Sequence, residues 1–360
     1  MKVLHVIWSS NIGGIEKVVM HLCKAQQSHS TIEPTLFAAK SEGPLIEQLN
    51  HFKISYVKGG FKSGYTNISK LSNCVKVFNN FDIIHLHSFN PILALAAVLA
   101  KKKIVFTEHG NFGFERKKRF FEKLVKSFQG YFLRNFPKAI LFNSNFTKSV
   151  AQNSYRLADK NTYVVYNGIE VPNNVETEVK YDLNNTYKIG FVGRLVEVKR
   201  IDRLIEVIHQ LPDKTKICVE IIGDGPLKNQ LATKIQQLHL DKQFVFLGYQ
   251  NNIQAYYSNW DLLIAPSSNE AFGLVAIEAY SYGCPVAVFS DGGGLAELVN
   301  QCEPAQVFAS VESMCKFLSD CMESSGQLNE TNRRNHRKAF ASTFSIEKME
   351  DSIKQVYLSL

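Results

Sequence analysis

Two glutamates with seven residues between them are the side chains of this sequence best placed to bind a ligand. Glu270 follows an apolar run that predicts a β-strand, and Glu278 lies about two turns into the helix predicted next. Gly273 stands where that helix begins, and the free amides of a helix N-terminus bind anions. Two carboxylates beside an anion site suit a ligand with both phosphates and hydroxyls, such as a nucleotide sugar. The spacing alone also allows two surface glutamates on a helix.

Two cations form a second candidate group. Arg194 and Lys199 follow the apolar run 189–192, which predicts another strand. If the ligand is a nucleotide sugar that reacts, its diphosphate departs and gains negative charge in the transition state. Fixed cations stabilise that charge without a metal ion. Surface cations that cap a loop are the alternative interpretation.

Glycines and histidines near other predicted strand ends give weaker signals. Gly13 and Gly14 follow the first predicted strand, where glycine lets backbone amides approach a ligand closely, although such glycines are often only structural. His109 ends a later strand; a lone histidine is more often structural, but ligands bind at strand ends of this kind. His85 and His87 alternate onto one face of a strand, and without a third convergent ligand we predict no metal site.

Apolar strand patterns alternate with helical patterns along the whole chain. The strands are near-continuous apolar runs, as expected for a parallel sheet with helices on both faces. The alternation runs through both halves and predicts two doubly wound α/β domains. Because ligands bind at the carboxyl ends of such strands, we expect the active site in a cleft between the domains.

A polar stretch without periodicity, at 171–178, predicts a linker. We therefore predict an N-terminal domain over 1–170 and a C-terminal domain over 171–344. Residues 345–360 carry apolar side chains along one face of a predicted final helix.

The residues around Glu270 and Glu278 resemble the E-x7-E motif of retaining GT-B glycosyltransferases, and most of all that of family 4, also called group 1. Residues 193–199 resemble the family's G-R-L-x-x-x-K motif, and residues 13–14 resemble its glycine-rich first loop. The resemblance covers nearly the whole chain and is densest over 189–297. It implies a GT-B fold, in which two Rossmann-like domains face a cleft and the final helix returns to the first domain. The resemblance also implies that the domain over 1–170 binds the acceptor and the domain over 171–344 binds the nucleotide-sugar donor.

The resemblance implies a role for each matching residue. Glu270 and His109 would position the transferred sugar, and Glu278 would bind the ribose hydroxyls. Arg194 and Lys199 would stabilise the departing diphosphate. Further donor contacts are implied at the glycine loop, the base-binding loop and the turn after Glu270, namely Gly13, Gly14, Asn252, Ile253, Phe272, Gly273, Leu274 and Val275.

The matching motifs imply a retaining hexosyltransferase that moves a sugar from a UDP- or GDP-sugar to a glycan or a lipid-linked acceptor. The nucleotide sugar is a substrate, and we predict neither a cofactor nor a metal. The Asp-x-Asp pair of metal-dependent GT-A enzymes does not occur in the sequence. A sugar-nucleotide epimerase or phosphorylase of the same fold is one alternative, and a non-catalytic nucleotide-sugar-binding protein is another.

Positive charge is concentrated in the segment 101–138. This segment holds eleven Lys and Arg residues against three acids, a net charge equal to the +8 of the whole chain, and aromatic residues interleave with the charges. Such a segment suits an anionic membrane surface, and a solvated helix with a buried aromatic face is the alternative. No recognised nucleic-acid-binding motif accompanies the charge, so nucleic acid is not a predicted partner.

Cysteine usage and hydropathy predict a cytoplasmic protein. The seven cysteines form no Cys-x-x-Cys pair, which favours reduced thiols, and the longest uncharged apolar run, 91–100, is too short to span a bilayer. Together with the basic segment, this predicts peripheral association with the inner face of the plasma membrane. We therefore expect a role in the biosynthesis of a cell-surface polysaccharide, such as lipopolysaccharide, capsule or exopolysaccharide.

Overall fold

The chain folds into two units, each built around its own parallel sheet. The computed structural model describes residues 1–29, 31–62, 67–110, 120–172, 186–323 and 330–360. One unit comprises Met1–Gly168 together with Ile346–Leu360, and the other comprises Ile169–Ser345. The predicted linker at 171–178 lies outside the described residues from position 173 onward.

The first unit has a seven-stranded sheet in the order β3-β2-β1-β4-β5-β6-β7, with all neighbouring strands parallel. The strands are β1 (Lys2–Ile7), β2 (Glu33–Ala38), β3 (Tyr56–Lys58), β4 (Ile83–Leu86), β5 (Lys103–Glu108), β6 (Ala139–Phe142) and β7 (Thr162–Val164). The helices are α1 (Gly14–His29), α2 (Pro44–His51), α3 (Leu71–Phe78), α4 (Pro91–Leu99), α5 (Phe120–Asn135) and α6 (Asn145–Tyr155), and a 3-10 turn covers Ile68–Lys70.

Local capping chemistry explains where two of these helices begin. The side chain of Asn90 accepts hydrogen bonds from the amides of Ile92 and Leu93, and Pro91 occupies the first turn of α4. Ser144 caps α6 in the same way. Asn90 comes four residues after the end of β4, and Ser144 comes two residues after the end of β6, so the chain turns from strand to helix at the carboxyl edge of the sheet.

Apolar side chains of the first unit form a cluster on each face of the sheet. Along β2, Phe37 joins the cluster that includes residues of α3 to α6, while Leu36 and Ala38 join the cluster of α1 and α2. Successive side chains of a strand point to opposite faces, so this division places helices on both sides of the sheet.

The second unit has a six-stranded sheet in the order β10-β9-β8-β11-β12-β13, also parallel throughout. The strands are β8 (Tyr187–Val192), β9 (Ile217–Ile222), β10 (Phe244–Gly248), β11 (Leu262–Ala265), β12 (Val286–Phe289) and β13 (Val307–Phe308). The helices are α7 (Ile201–Gln210), α8 (Lys228–Gln237), α9 (Gln254–Asn259), α10 (Leu274–Ser281), α11 (Gly294–Cys302), α12 (Val311–Glu323) and α13 (Glu330–Ser342), with 3-10 turns at Glu197–Lys199 and Pro304–Gln306.

The final helix, α14 (Ile346–Ser359), belongs to the first unit and packs against α1. Its buried residues include Met349, Ile353 and Tyr357. The amide of Gly168 donates a hydrogen bond to the sulfur of Met349, at 3.1 Å. These contacts hold α14 next to Gly168, the last residue of the Met1–Gly168 part of the unit.

The prediction of doubly wound α/β architecture is confirmed in both units. The strand β13 was not predicted, because its two residues are too few to form a recognisable apolar run. Within the described ranges, no helix combines the length and apolarity that crossing a bilayer requires.

A buried ion pair joins α13 to the rest of the second unit. The Arg337 side chain is 1% exposed, and its Nε donates to Oε1 of Glu303 at 2.9 Å. Its Nη1 donates to the carbonyl oxygen of Gly283 at 3.0 Å. A guanidinium in this environment is tolerated because both partners compensate for the water it has lost.

We predict that Glu303→Gln lowers the free energy of unfolding by about 3–5 kcal/mol, because it removes the negative charge of Glu303 from beside the buried Arg337 guanidinium. Asp224→Asn is the control: it removes an exposed ion pair with Lys228, which solvent screens, and should cost much less. Urea unfolding of both variants provides the measurement. Equal losses in the two variants would contradict the prediction.

Candidate functional site

Lys199 and Glu270 meet in an ion pair at the carboxyl edge of the second sheet. The Nζ of Lys199 lies 2.7 Å from Oε1 and 2.9 Å from Oε2 of Glu270, so the ammonium bridges both oxygens of the carboxylate. Both side chains are about one-fifth exposed, at 19% and 21%. The contact follows from topology, since Lys199 comes after β8, Glu270 comes after β11, and these strands are neighbours.

Electrostatics keep the Glu270 carboxyl ionised. Burial acts to raise the pKa of this group, but the charge of Lys199 and hydrogen bonds from Lys199 and Ser267 outweigh burial. The pKa of Glu270 therefore lies below its ordinary value. The carboxylate is present as an acceptor at neutral pH, held by a single cation.

Backbone hydrogen bonds fix the turn that carries Glu270. Its amide donates to the carbonyl oxygen of Gly292 at 3.1 Å, and its own carbonyl accepts from the amide of Gly294 at 2.7 Å. The amide of Ser268 donates to the carbonyl of Val198 at 2.9 Å, on the loop that carries Lys199. The loops after β8, β11 and β12 are therefore tied to one another at the backbone level.

Gly273 is required by both its conformation and its surroundings. Its φ of 97° lies in the left-handed region, and a Cβ there would stand 2.6 Å from a side-chain carbon of Leu295. The residue is the N-cap of α10, so the amides of Leu274 and Val275 stand in the first turn of that helix. The predicted start of a helix at this glycine is confirmed, and anion binding by its first amides stays a prediction.

Glu278 lies on α10 and is oriented by a tyrosine that the sequence analysis missed. The hydroxyl of Tyr257, on α9, donates to Oε2 of Glu278 at 3.0 Å. Burial, together with the nearby carboxylate of Glu278, raises the pKa of Tyr257 well above its ordinary value, so the phenol keeps its proton. Tyr257 stands beside Tyr256 in the sequence, and only the tertiary packing shows which of the two is buried.

Arg194 is an exposed cation on a tightly packed loop. Among the described residues, its guanidinium has no ion pair and no side-chain hydrogen bond. The amide of Leu195, the next residue, donates to the carbonyl oxygen of Asp224 at 3.0 Å. At Gly223, whose φ is 128°, a Cβ would stand 2.0 Å from the carbonyl oxygen of Gly193. The loop after β9 thus holds the Arg194 loop by backbone contact, and only glycine permits it.

The predicted base-binding loop follows β10 on the same edge of the sheet. Asn252 is exposed, and Ile253 is the N-cap residue of α9. Tyr249, 75% exposed, precedes them, and the carbonyl of Gly248 accepts from the amide of Gly223 at 2.8 Å. The structure thus collects Arg194, Lys199, Asn252, Ile253 and residues 270–278 on loops and a helix after neighbouring strands of one sheet.

The predicted glycine loop of the first unit lies between β1 and α1, next to a carboxylate. A Cβ on Gly13 would stand 2.7 Å from Oε2 of Glu16. Burial raises the pKa of Glu16, while hydrogen bonds from the backbone at Gly13 and Glu16 oppose that rise. The side chain of Glu16 thus folds back onto amides that the sequence analysis assigned to a ligand.

His109 belongs to a cluster of four histidines in the first unit. Its Nε2 lies 3.1 Å from Nδ1 of His87, and burial lowers the pKa of His109 to about 4. The sequence argument that His85 and His87 lack a third convergent ligand is wrong, because His5 supplies a third nearby nitrogen. The nitrogens of His5 and His87 already share a hydrogen bond of 3.0 Å, which accounts for their approach without a metal.

Two family models match this chain over nearly its whole length. The model described as glycosyl transferases group 1 matches residues 176–339, and the model described as glycosyltransferase family 4 matches residues 12–171.

Curated relatives come from several bacteria. An uncharacterized 41.2 kDa protein in the cps region of Klebsiella pneumoniae is 31% identical over 65% of this chain and 68% of its own length. The UDP-Gal:alpha-D-GlcNAc-diphosphoundecaprenol alpha-1,3-galactosyltransferase of Escherichia coli is 24% identical over 100% of this chain and 97% of its own. A Campylobacter jejuni enzyme that acts on a diphospho-undecaprenol substrate, an alpha-N-acetylgalactosaminyltransferase, is 28% identical over 81% of each chain.

Solved structures share the fold at low sequence identity. Anabaena Alr3699/HepE, in complex with UDP-glucose, superposes with a TM-score of 0.81 at 19% identity and covers 100% of both chains. WaaG, a glycosyltransferase involved in lipopolysaccharide biosynthesis, superposes with a TM-score of 0.74 at 15% identity and covers 99% of both chains.

We predict that Lys199→Met raises the pKa of the Glu270 carboxyl above its ordinary value, because burial then acts unopposed by the ammonium. In the native protein the lowered pKa means that Glu270 contributes stability above the ordinary carboxyl pKa and loses it only as the pH falls through the lowered value. In Lys199→Met the carboxyl should instead take up its proton at a higher pH.

Carbon-13 NMR titration of the glutamate carboxyls measures this shift directly. Lys199→Arg is the matched control, since it keeps a cation at the same position and should keep the pKa low. The same titration midpoint in Lys199→Met and the native protein would refute the proposed electrostatic balance.

Proposed function

This chain belongs to the group 1 glycosyltransferases, and we propose that it transfers a sugar, with retention, from a nucleoside diphosphate to a hydroxyl of a lipid-linked glycan. The predicted GT-B fold is confirmed by the solved structures that share it. The observation that carries the proposal lies in the second unit, where one sheet edge holds two cations and two carboxylates, Arg194, Lys199, Glu270 and Glu278.

The cations suit the diphosphate of the donor. In the reaction, the bond between the sugar's anomeric carbon and the diphosphate oxygen breaks, and a bond to the acceptor oxygen forms on the same face. The acceptor proton passes to the departing diphosphate. Arg194 and Lys199 would stabilise the charge that develops on that group, and so perform the electrostatic work for which other transferases use a divalent metal.

The carboxylates suit the hydroxyls of the donor. Glu278, oriented by the Tyr257 hydroxyl, would accept hydrogen bonds from the ribose, and Glu270 would accept them from the transferred sugar. A sugar hydroxyl near Glu270 would share the carboxylate with Lys199, whose ammonium would then also reach the diphosphate. Further donor contacts are proposed at Gly13, Gly14, His109, Asn252, Ile253, Phe272, Gly273, Leu274 and Val275.

We propose a UDP-sugar as the donor. Anabaena Alr3699/HepE is described in complex with UDP and with UDP-glucose, and the E. coli relative is named for UDP-Gal. The exposed ring of Tyr249 and the loop that reaches Ile253 would meet the base. The donor is a substrate, and the proposal requires no cofactor.

The helix α5 supports a membrane-bound acceptor. Leu124, Phe128 and Tyr131 follow helical spacing, and all three are exposed, with Leu124 and Tyr131 at 52%. A cavity of about 530 Å³ lies beside them, lined by basic and small residues that include Lys123, Lys126, Arg134 and Arg156. The alternative of a buried aromatic face fits only in part, because Phe132 on this helix is buried whereas Phe128 and Tyr131 are exposed.

Exposed apolar side chains beside cations are the arrangement with which a helix lies on anionic lipid. We therefore propose that this surface holds the cytoplasmic protein against the inner face of the membrane, where a polysaccharide precursor on a lipid carrier would be the acceptor. The relatives named for diphospho-undecaprenol substrates support this acceptor class. The part of the basic segment at 111–119 lies outside the described residues.

We predict that UDP stabilises the protein against thermal unfolding in the presence of EDTA, and that GDP, ADP and dTDP do not. At a ligand concentration of 100 times Kd, the stabilisation should be about 2.7 kcal/mol. The shift should vanish in Arg194→Ala and Glu278→Ala. Arg200→Ala is the matched control, because Arg200 is a neighbouring cation already paired with Asp202.

Two outcomes would overturn the proposed donor site. One is the absence of a shift with every nucleotide, and the other is a full shift with UDP in Arg194→Ala. With a UDP-sugar and a lipid-linked acceptor, NMR of the product should show the anomeric configuration of the donor. Consumption of the donor without acceptor or phosphate would favour an epimerase.

We also predict that the protein binds vesicles containing phosphatidylglycerol and that binding weakens as ionic strength rises. Lys123→Glu should weaken binding about fivefold or more, since each basic residue near the surface contributes about 1 kcal/mol. Lys242→Glu is the matched control, an exposed lysine of the second unit. Vesicle sedimentation measures both variants, and equal effects would contradict the assignment of this surface.

A further inference from the structure

Four histidines lie together on, or directly after, neighbouring strands of the first unit. His5 is on β1, His85 is on β4, His87 directly follows β4, and His109 directly follows β5. The rings of His85 and His87 are 4.0 Å apart between centroids, and those of His87 and His109 are 5.4 Å apart. Burial lowers the pKa of His5 and of His109 to about 4, and lowers those of His85 and His87 well below the usual value. All four are neutral at pH 7, so each ring has one N–H donor and one acceptor nitrogen.

Hydrogen bonds join three of these rings into one line that ends at Gln26 on α1. The Nε2 of His109 lies 3.1 Å from Nδ1 of His87. The Nε2 of His87 lies 3.0 Å from Nδ1 of His5, and the Nε2 of His5 lies 2.8 Å from Oε1 of Gln26. At each contact between two rings, Nε2 of one histidine faces Nδ1 of the next. All hydrogen bonds of the line therefore point the same way.

Gln26 sets that direction. An amide oxygen only accepts, so His5 must carry its proton on Nε2 and offer the lone pair of Nδ1. His87 then donates from Nε2 to that lone pair, and His109 donates from Nε2 to Nδ1 of His87. In each ring, Nε2 carries the proton.

Tyr357 joins the cluster through His85. Burial raises the pKa of Tyr357 well above its ordinary value, so the phenol keeps its proton. The Tyr357 hydroxyl is also in close contact with Nδ1 of His85, whose Nε2 lies 2.6 Å from Oγ1 of Thr107. A phenol that keeps its proton can donate it to Nδ1 of His85, which leaves the proton of that ring on Nε2.

We infer that Gln26, His5 and His87 are positioning residues that hold His109 in its Nε2–H form, so that Nδ1 of His109 offers a lone pair to a hydroxyl of the transferred sugar. The inference rests on the proposed role of His109 in donor binding. Among the described residues, Nδ1 of His109 has no hydrogen-bond partner. A lone pair at this position favours a ligand group that donates, such as a sugar hydroxyl, and disfavours a phosphate or carboxylate oxygen.

The position of the proton on His109 is coupled to the positions of the protons on His87, His5 and Gln26. Moving the proton of His109 to Nδ1 would bring two lone pairs face to face between His109 and His87, unless His87, His5 and the Gln26 amide all reversed together. Buried polar groups that face each other without a shared proton are costly. The hydrogen-bonding character of the nitrogen that faces the sugar is thus set three side chains away.

Nitrogen-15 NMR of the histidine rings in the native protein at pH 7 tests the inference. We expect a protonated Nε2 and an unprotonated Nδ1 for His109, His87 and His5. A proton on Nδ1 of His109, an averaged pair of signals or a charged ring would overturn the proposal. This readout needs no turnover, so a failure of the proposed sugar transfer leaves it intact and is recognised separately by the absence of product.

Variants of His87 and His85 separate a positioning role from a packing role. His87→Phe keeps a ring but removes the acceptor, and should give averaged signals for His109 and lower kcat roughly tenfold, the value of about one hydrogen bond. His87→Asn places an amide oxygen near the original Nδ1 and should restore the Nε2–H form. His85→Phe is the matched control, because His85 is also buried, two residues before His87, but contacts Tyr357 and Thr107.

An unchanged His109 spectrum in a folded His87→Phe protein would overturn the inference, as would an equal effect of His85→Phe. Where His87→Phe does not fold, Gln26→Met removes the anchor of the line from the opposite end. It should also produce averaged His109 signals, and a single unchanged Nε2–H form would count against the proposal.

Discussion

The contact between Lys199 and Glu270 is the interaction on which the site of the second unit depends. It joins loops that leave two adjacent parallel strands, and it keeps a carboxylate ionised where burial would protonate it. The surrounding backbone has little freedom, since Gly223 and Gly273 both have a left-handed conformation with close neighbours. Contacts within the protein itself therefore hold these loops, and charges fixed in advance in this way are the ones that act most strongly on a transition state.

Buried polar groups are compensated for their loss of water in different ways in the two units. In the second unit, charges are compensated by opposite charges, as between Lys199 and Glu270 or Arg337 and Glu303. In the first unit, the histidines are held neutral and satisfy one another through shared protons. A compensated charge stabilises the charged groups of a ligand, whereas a neutral ring with a fixed proton distinguishes donors from acceptors.

Sequence reasoning succeeded where the determinants are local. The strand before Glu270, the glycine at the start of α10 and the second glutamate lie in one short segment, so their spacing predicts a helix N-terminus between two carboxylates. The ion pair itself was not predicted, because Lys199 and Glu270 are 71 positions apart and were assigned separately to phosphate and sugar. His5 and Gln26 were missed for the same reason, since His5 meets His87 from 82 positions away and no periodic pattern encodes that meeting. The apolar face of α5 was predicted only in part, because composition does not show which aromatic residues pack inward.

The placement of α14 has a consequence for how the protein is made. A ribosome completes residues 169–345 before it reaches this helix, so the first sheet emerges without the segment that covers α1 and supplies Tyr357 to His85. During that interval the nascent first unit exposes an apolar surface and an incomplete polar cluster, while the second unit has all its own strands available. The unit that begins first along the chain is thus the one that finishes last, and its final assembly must wait until synthesis has passed the whole of its neighbour.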